Sequence, residues 1–447
     1  FTTCLLHQAG VPRSALQLLP GDGTVGAALT GSARVDGVAF TGSTQTAKTI
    51  RVKMAETLTP GAPFIAETGG LNAMIVDSTA LPEQAVANII ESAFQSAGQR
   101  CSALRCVYIQ DDIAPELIAM LIGAMQQLSL GDPWLLSSDL GPVIDPVAQA
   151  RILKHIAEAA DQNRVLWTQP VPSQGHYISP TLIQVSGIKA LEQEVFGPVL
   201  HLATFASHQI NAVVEAINDT GYGLTFGLQT RLSNRAKEIA QRIQAGNIYV
   251  NRNQIGAVVG SQPFGGHGLS GTGPKAGGPF YLGRFRAVGR QNSSGAWDQV
   301  MSQTALIKIM ETAATGVHSP DVLLPGPTGE LNARSTLAKP TILCAGPGAH
   351  AADAQAKAVT ALGGVAVKAT GQIQAAHLTH LGPLGAVIWW GDEATARVFD
   401  LALAVRAGPS VALITGQPDS AHVLLEQHVC IDTTAAGGNA ALLRGDS

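Results

Sequence analysis

The sequence predicts an α/β chain of two or three domains built on parallel sheet. Three observations carry that prediction. Strand-like and helix-like segments alternate over residues 1–250, an order that favours parallel pairing through crossover helices. The alternation resumes over residues 340–447, after a stretch of loop-forming composition. The 447 residues also exceed what one ordinary core holds.

Residues 1–10 read as a helix, 15–19 as a strand, 35–40 as a second strand, and 46–58 as the helix that follows it. The turn Phe40-Thr41-Gly42-Ser43-Thr44 lies where that second strand becomes a helix. Free amides at a helix N-terminus hold phosphate, so Gly42 and Ser43 are candidates for a bound pyrophosphate. An ordinary N-cap by Ser43 or Thr44 is the plainer explanation. From Gly69 the order continues with a strand at 73–76, a helix at 82–96, a strand at 106–109, and helices at 114–127 and 146–162.

Beyond about Arg286 the composition changes. Residues 292–339 carry Ser-Ser-Gly, His-Ser-Pro and Pro-Gly-Pro-Thr-Gly, and read as a connecting arm. Strands at 341–344, 364–368, 386–390 and 410–414, with helices at 350–362 and 392–407, then form a second, smaller doubly wound unit. Cys344-Ala345-Gly346-Pro347-Gly348 looks like a dinucleotide loop, but it lacks the third glycine and contains Pro347, so no binding is assigned to it.

Composition excludes several classes of function. Charged residues make up 13% of the chain against a usual figure of about 25%, which predicts a surface largely covered by other domains or subunits. A net charge of -4 with scattered signs leaves no basic patch for nucleic acid. No apolar run reaches the roughly 20 residues that a membrane-spanning helix requires. Five cysteines, at 4, 101, 106, 344 and 430, show neither metal-ligand spacing nor a disulfide framework and fit a reducing cytoplasm.

The chemistry concentrates in three runs. Cys101 stands in Gly98-Gln99-Arg100-Cys101-Ser102-Ala103, and Glu67 precedes it in Glu67-Thr68-Gly69-Gly70. A thiolate attacks an aldehyde carbon, and a carboxylate beside the resulting thioester can activate the water that cleaves it. Small residues around the sulfur leave backbone amides able to approach an oxyanion. The third run, Glu194-Val195-Phe196-Gly197-Pro198-Val199, adds another acid at a turn. Taken singly, the Cys reads as a small buried hydrophobe and the Glu as a surface turn residue.

These runs in this order, followed by Gly246-Asn247-Ile248-Tyr249-Val250-Asn251 and Pro263-Phe264-Gly265-Gly266, resemble the NAD(P)-dependent aldehyde dehydrogenase superfamily over about residues 1–285. Within it, the wording around Glu67, Cys101 and residues 247–279 is similar to the L-glutamate γ-semialdehyde (1-pyrroline-5-carboxylate) dehydrogenase module of the bacterial bifunctional proline-utilisation (PutA) proteins. The resemblance implies an aldehyde dehydrogenase fold, with a partial Rossmann-like cofactor domain and an α/β catalytic domain. A smaller, degenerate aldehyde-dehydrogenase-like α/β domain would follow. The implied boundaries are 1–68 for the cofactor part, 69–266 for the catalytic domain, 267–290 for a returning oligomerisation segment, 291–339 for a linker arm, and 340–447 for a non-catalytic covering domain. The end, from Cys430 to Asn439, resembles the C-terminal domain of the longer PutA forms.

The resemblance also assigns roles. Cys101 is the nucleophile and Glu67 the hydrolytic base. NAD is the cofactor, with Gly42 and Ser43 at its pyrophosphate and Glu194 and Phe196 at the nicotinamide ribose. Ala47 stands where many relatives have a second Gly. Ser102 and the amides of Gly256 and Ala257 anchor the substrate's charged end, between aromatic walls Phe94 and Phe264. For Phe196 alone, a core aromatic is the usual explanation.

Phe1 is not an initiator Met, so the chain reads as the C-terminal piece of something longer. The family's oxyanion Asn and adenosine-ribose Lys would lie upstream of Phe1, and no residue here matches either. The expected partners are glutamate semialdehyde, a second copy of the chain in a homo-oligomer, and an upstream proline dehydrogenase domain that would bring FAD. The expected compartment is the cytoplasm, or the periphery of the inner membrane for the full-length protein. The alternatives are a truncated non-catalytic scaffold, or another hydrolytic aldehyde dehydrogenase; the hydrolytic Glu67 disfavours a CoA-acylating one.

Overall fold

The computed structural model of the chain describes residues 1–286, 289–314, 316 and 318–434. Its N-terminal part carries α1 (Thr2–Gln8), α2 (Gly23–Thr30), β1 (Val38–Gly42), α3 (Thr44–Thr57) and β2 (Phe64–Thr68). β1 and β2 pair in parallel, with Thr41 opposite Glu67 and Gly42 opposite Thr68. α3 starts where Ser43 Oγ accepts the Thr46 amide, an N-cap that satisfies one of the helix's orphan donors.

The strand expected at 15–19 does not form. Those residues are irregular, with Leu18 and Leu19 exposed. The only backbone bonds there are short-range, from the amides of Ala15 and Leu16 to Pro12 O. An extended run becomes a strand only with a partner ladder, and no described strand lies against this one. α2 arises instead from local capping, because the Asp22 side chain accepts the Thr24 amide.

The catalytic part runs through β3 (Ala73–Val76), α4 (Pro82–Phe94), β4 (Cys106–Gln110), α5 (Ala114–Met125), α6 (Pro146–Asp161), β5 (Val165–Trp167), β6 (Thr181–Gln184), β7 (Val199–Phe205), α7 (Ile210–Asn218), β8 (Tyr222–Gly223), β9 (Thr225–Gln229), α8 (Ser233–Arg242) and β10 (Asn247–Val250). β3, β4, β9 and β10 are buried on both faces, as parallel strands between helices must be. β11 (His267–Gly268) pairs with β8, and the chain then returns to β2: Thr68 N–H bonds Ser270 O, and Thr272 N–H bonds Ala66 O.

Residues 291–339, expected as an arm of loops, hold regular structure. α9 (Gln303–Glu311), β12 (Val322–Leu324) and the nine-residue β13 (Glu330–Ala338) lie there. β14 (Ile342–Cys344), α10 (Gly348–Ala361), β15 (Ala366–Lys368), α11 (Ala375–Leu378), β16 (Ala386–Ile388), α12 (Glu393–Ala404), β17 (Ala412–Ile414) and α13 (Ser420–Val423) follow. Their four strands make a separate parallel sheet in the order β15-β14-β16-β17. The last strand, β18 (Leu424–Asp432), leaves that unit and joins the catalytic sheet. It lies antiparallel to β13 and parallel to β10, completing a ten-stranded sheet ordered β12-β13-β18-β10-β9-β3-β4-β7-β6-β5. The part of the expected C-terminal run beyond Thr434 lies outside the described residues. No helix among the described residues is long and apolar enough to cross a membrane.

A second junction binds the two ends of the chain. Arg51 of α3 pairs with Asp400 of α12, at 9% and 3% side-chain exposure, and Arg397 donates to Ala55 O at 2.8 Å. Removing one partner from a buried pair leaves the other charged and unsolvated. Asp400→Ala is therefore expected to destabilise the chain by about 3–5 kcal/mol in urea unfolding, and a loss under about 1 kcal/mol would show that water already reaches the pair.

Candidate active site

The site is assembled where three turns meet at the ends of strands. β2 delivers Glu67, and Gly69-Gly70 turn the chain immediately after it. A Cβ on Gly69 would lie 1.9 Å from Glu194 Oε2, so a side chain there would force the Glu194 carboxylate to move. The loop before Cys101 is strained: Ser96 and Ala97 adopt φ of 57° and 53°, and Gly98 adopts 65°. Left-handed backbone at non-glycine residues costs about 1–3 kcal/mol each and persists only where neighbours enforce it. A Cβ on Gly98 would lie 2.1 Å from Gly197 O.

Arg105 does the enforcing. Its guanidinium, fully buried, donates to Gly98 O at 2.7 Å, Arg100 O at 3.0 Å and Glu194 Oε1 at 2.9 Å, and it lies 5.2 Å from the Phe196 ring centroid. Asn72 contributes from the other side, its Nδ2 donating to Cys101 O at 2.7 Å and Ala103 O at 2.9 Å. Sequence reasoning missed both residues. The one available signal was a charged side chain four positions after Cys101, in an otherwise apolar approach to β4.

The half-buried Cys101 thiol is held above its usual range by burial, then by the carboxylates of Glu194 and Glu67; its own amide and that of Ser102 oppose the shift. Both carboxylates therefore reach the sulfur electrostatically. Glu67 Oε2 accepts the Gly266 amide at 3.2 Å, while Oε1 is sealed from solvent without a partner. Burial pushes Glu67 up to about 8, against the Gly266 amide and the charge of Lys275. Burial likewise raises Glu194, with Arg105 opposing.

The remaining expected residues divide. Ser102 and Gly256 meet, Ser102 Oγ accepting the Gly256 amide at 3.2 Å, and Ala257 follows in an exposed position. The Gly256 amide is thus already engaged, which leaves the Ser102 hydroxyl proton and the Ala257 amide as donors. Phe264 is half-buried beside Glu67's loop, paired through its backbone with Ala276. Phe94 is different. At 1% exposure it belongs to the core cluster with Ile89, Ala93 and Leu104, because it lies on the apolar face of α4. Gly42, opposite Thr68 in register, ends β1 and Ser43 follows it as the N-cap of α3, at the carboxyl end of a parallel pair where ligands bind. Two larger cavities, of about 730 Å³ beside α8 and β18 and about 680 Å³ beside Arg284, are not lined by Cys101.

The Aldehyde dehydrogenase family profile matches residues 2–288. The chain belongs to the aldehyde dehydrogenase family. Among curated relatives, the bifunctional protein PutA of Salmonella typhimurium is 40% identical across 98% of this chain, and the chain spans 38% of that protein. The 1-pyrroline-5-carboxylate dehydrogenase of Geobacillus thermodenitrificans is 35% identical across 62% of the chain and 55% of its own length. Among solved structures, a Bradyrhizobium japonicum proline utilization A variant is 51% identical with a TM-score of 0.62, over 63% of this chain and 29% of that one. A Thermus 1-pyrroline-5-carboxylate dehydrogenase with bound NAD is 32% identical with a TM-score of 0.59, over 63% and 55%. This aldehyde dehydrogenase chain therefore has the family's α/β fold.

The electrostatics of the thiol are measurable. Glu194→Gln removes a negative charge from its surroundings and should speed iodoacetamide labelling of Cys101 at pH 7.5 by about threefold or more, read by peptide mass, since each pKa unit changes the thiolate fraction about tenfold. An unchanged rate would place the Glu194 charge out of reach of the sulfur.

Proposed function

We propose that this chain carries the NAD-dependent oxidation of L-glutamate γ-semialdehyde to L-glutamate, the second step of proline catabolism, through a thioester on Cys101. The observation that supports this reading is that the charges of Glu194 and Glu67 both act on the half-buried Cys101 thiol, with the Ser102–Gly256 hydrogen bond following it in the chain. The names of the relatives support the substrate, and the NAD-bound Thermus neighbour supports the cofactor.

The residues present fit a dinucleotide in part. Ser43 caps α3 at the ligand-binding end of β1, and Glu194, at 18% side-chain exposure, keeps a carboxylate oxygen for ribose hydroxyls while Arg105 holds the other. What NAD supplies when bound is a hydride acceptor at its nicotinamide. Cys101 Sγ, once deprotonated, forms a C–S bond to the aldehyde carbon, and the Cys101 and Ser102 amides near the sulfur face the resulting oxyanion. After oxidation the same carbon is a thioester. Glu67 takes a proton from water, the hydroxide oxygen adds to the carbonyl, the C–S bond breaks, and the sulfur leaves as thiolate. A carboxylate that titrates near 8 suits that task, because a general base works best when its pKa lies near the operating pH.

At the far end of the substrate, the Ser102 hydroxyl donates to the carboxylate, the Ala257 amide assists, and Phe264 flanks the aliphatic stem. The full-length protein is read as cytoplasmic, or peripheral to the inner membrane, as a homo-oligomer, and with an upstream FAD-dependent proline dehydrogenase. Residues 340–447 are read as a non-catalytic domain.

In the full-length protein, Cys101→Ala is expected to abolish semialdehyde-dependent NADH formation. Glu67→Gln should accumulate an acyl adduct on intact protein, and normal steady-state turnover without the adduct would contradict the base assignment. Ser102→Ala should raise KM for the semialdehyde by roughly tenfold, the scale of one hydrogen bond to a charged group, while acetaldehyde KM moves little. Equal effects on both substrates would remove Ser102 from substrate recognition.

A further inference from the structure

The loop that carries Gly256 and Ala257 has no regular structure of its own. Residues 253–262 form neither helix nor strand, and Ala257, Val258 and Val259 are exposed. Its place is set at its two ends. At the start, the Arg252 guanidinium pairs with Glu330 Oε2 and lies 5.4 Å from the Tyr249 ring centroid, and Tyr249 Oη donates to Gly256 O at 2.9 Å. At the finish, Gln262 Nε2 donates to Glu330 Oε1 at 3.0 Å. Gln262 also closes the turn before it, its Oε1 accepting the Val258 amide at 3.1 Å and its own amide donating to Val258 O at 2.9 Å. One carboxylate therefore holds both ends of the loop.

That carboxylate comes from β13, far from the loop in sequence. Asn332, two positions on and so on the same face of the strand, donates to Glu330 Oε1 at 2.8 Å. Cys430 of β18 stands opposite Asn332 in register, and its Sγ accepts from Arg252 Nη1 at 3.0 Å and from Gln262 Nε2 at 3.4 Å. The Arg252 and Glu330 side chains are each 17% exposed, and Gln262 is 3% exposed, so little water is at hand to replace the carboxylate. Donors left without an acceptor in such a place cost free energy, and the segment that carries them shifts to recover one.

We propose that Glu330 positions the loop 253–262 by holding Arg252 and Gln262 together, so that the strand pair β13 and β18 sets which aldehydes the site prefers. The inference rests on the reading that Ser102 and the Gly256–Ala257 loop receive the charged end of glutamate semialdehyde. Glu330 is a positioning residue and touches neither the substrate nor the reacting atoms. Its effect is selective because of where the loop lies. With the tether intact, the Gly256 amide stays on Ser102 Oγ and the Ala257 amide is already in place before substrate arrives. With the tether cut, substrate must order the loop as it binds, a cost that weakens binding. Acetaldehyde has no charged end to meet the loop and escapes that cost.

The test uses the full-length protein, with NADH formation measured on the semialdehyde and on acetaldehyde, and hydrogen exchange of the peptide covering residues 255–261 read by mass. Glu330→Ala should raise KM for the semialdehyde by roughly tenfold, the scale of one charge-assisted hydrogen bond, while kcat/KM for acetaldehyde stays within about twofold. Glu330→Gln, close to the native shape, keeps an acceptor for Gln262 but loses the charge facing Arg252, and should give a smaller shift of the same kind. In both variants exchange at 255–261 should quicken while peptides from β3 and β4 are unchanged. Gln262→Met should reproduce the split between the two aldehydes. A ratio of semialdehyde to acetaldehyde KM that does not move in Glu330→Ala or Glu330→Gln, or exchange at 255–261 that does not quicken, overturns the inference while leaving the Cys101 chemistry intact. An unsubstituted protein that oxidises acetaldehyde as readily as the semialdehyde overturns the substrate reading, and the inference with it.

Discussion

The site depends on one buried guanidinium. Arg105 carries no solvent exposure, yet it bonds the strained turn at Gly98, the carbonyl of Arg100 and the carboxylate of Glu194 at once. Burying a cation is costly unless its donors are met. Here they are met by the two loops that must be held together, the one carrying the thiol and the one carrying the acid. The left-handed conformations at Ser96 and Ala97 are maintained by that clamp and by the contact of Gly98 with Gly197.

The same burial sets the chemistry. Removing Cys101 and Glu67 from water raises both, so each is mostly protonated at neutral pH. A thiol raised in this way holds less thiolate, so attack by Cys101 requires its proton to be lost first, while Glu67, up to about 8, exchanges a proton near neutral pH. The balance around Glu67 involves partners from far along the sequence, the Gly266 amide and the charge of Lys275 on the returning segment. The catalytic sheet and the C-terminal unit are joined by β13 and β18.

Local pattern made much of this architecture legible. The strands at 73–76 and 106–109 and helices α4 to α6 show the apolar periodicity that their burial requires, and the motif runs at 67–70, 98–103 and 194–199 do come together. Long-range pairing was not legible. β13 and β18 lie about ninety residues apart, and whether either extends a sheet depends on the edge β10 leaves open, which periodicity does not report. Residues 15–19 form a short apolar run consistent with a strand but have no ladder to join. Phe94 precedes the Cys101 loop in sequence, yet the turn of α4 points it into the core. Arg105 and Lys275 look like surface charges until the fold buries them, and burial is what gives them roles.

The central claim is that one acyl group bonded to Cys101 is released by water that Glu67 activates. A crystal structure of the Glu67→Gln protein after reaction with the semialdehyde and NAD addresses it directly. Continuous density from Cys101 Sγ to the acyl carbon is expected, with a water between that carbon and the residue 67 side chain. Density on another side chain, or an acylated Cys101 with residue 67 turned into a separate compartment, would contradict it.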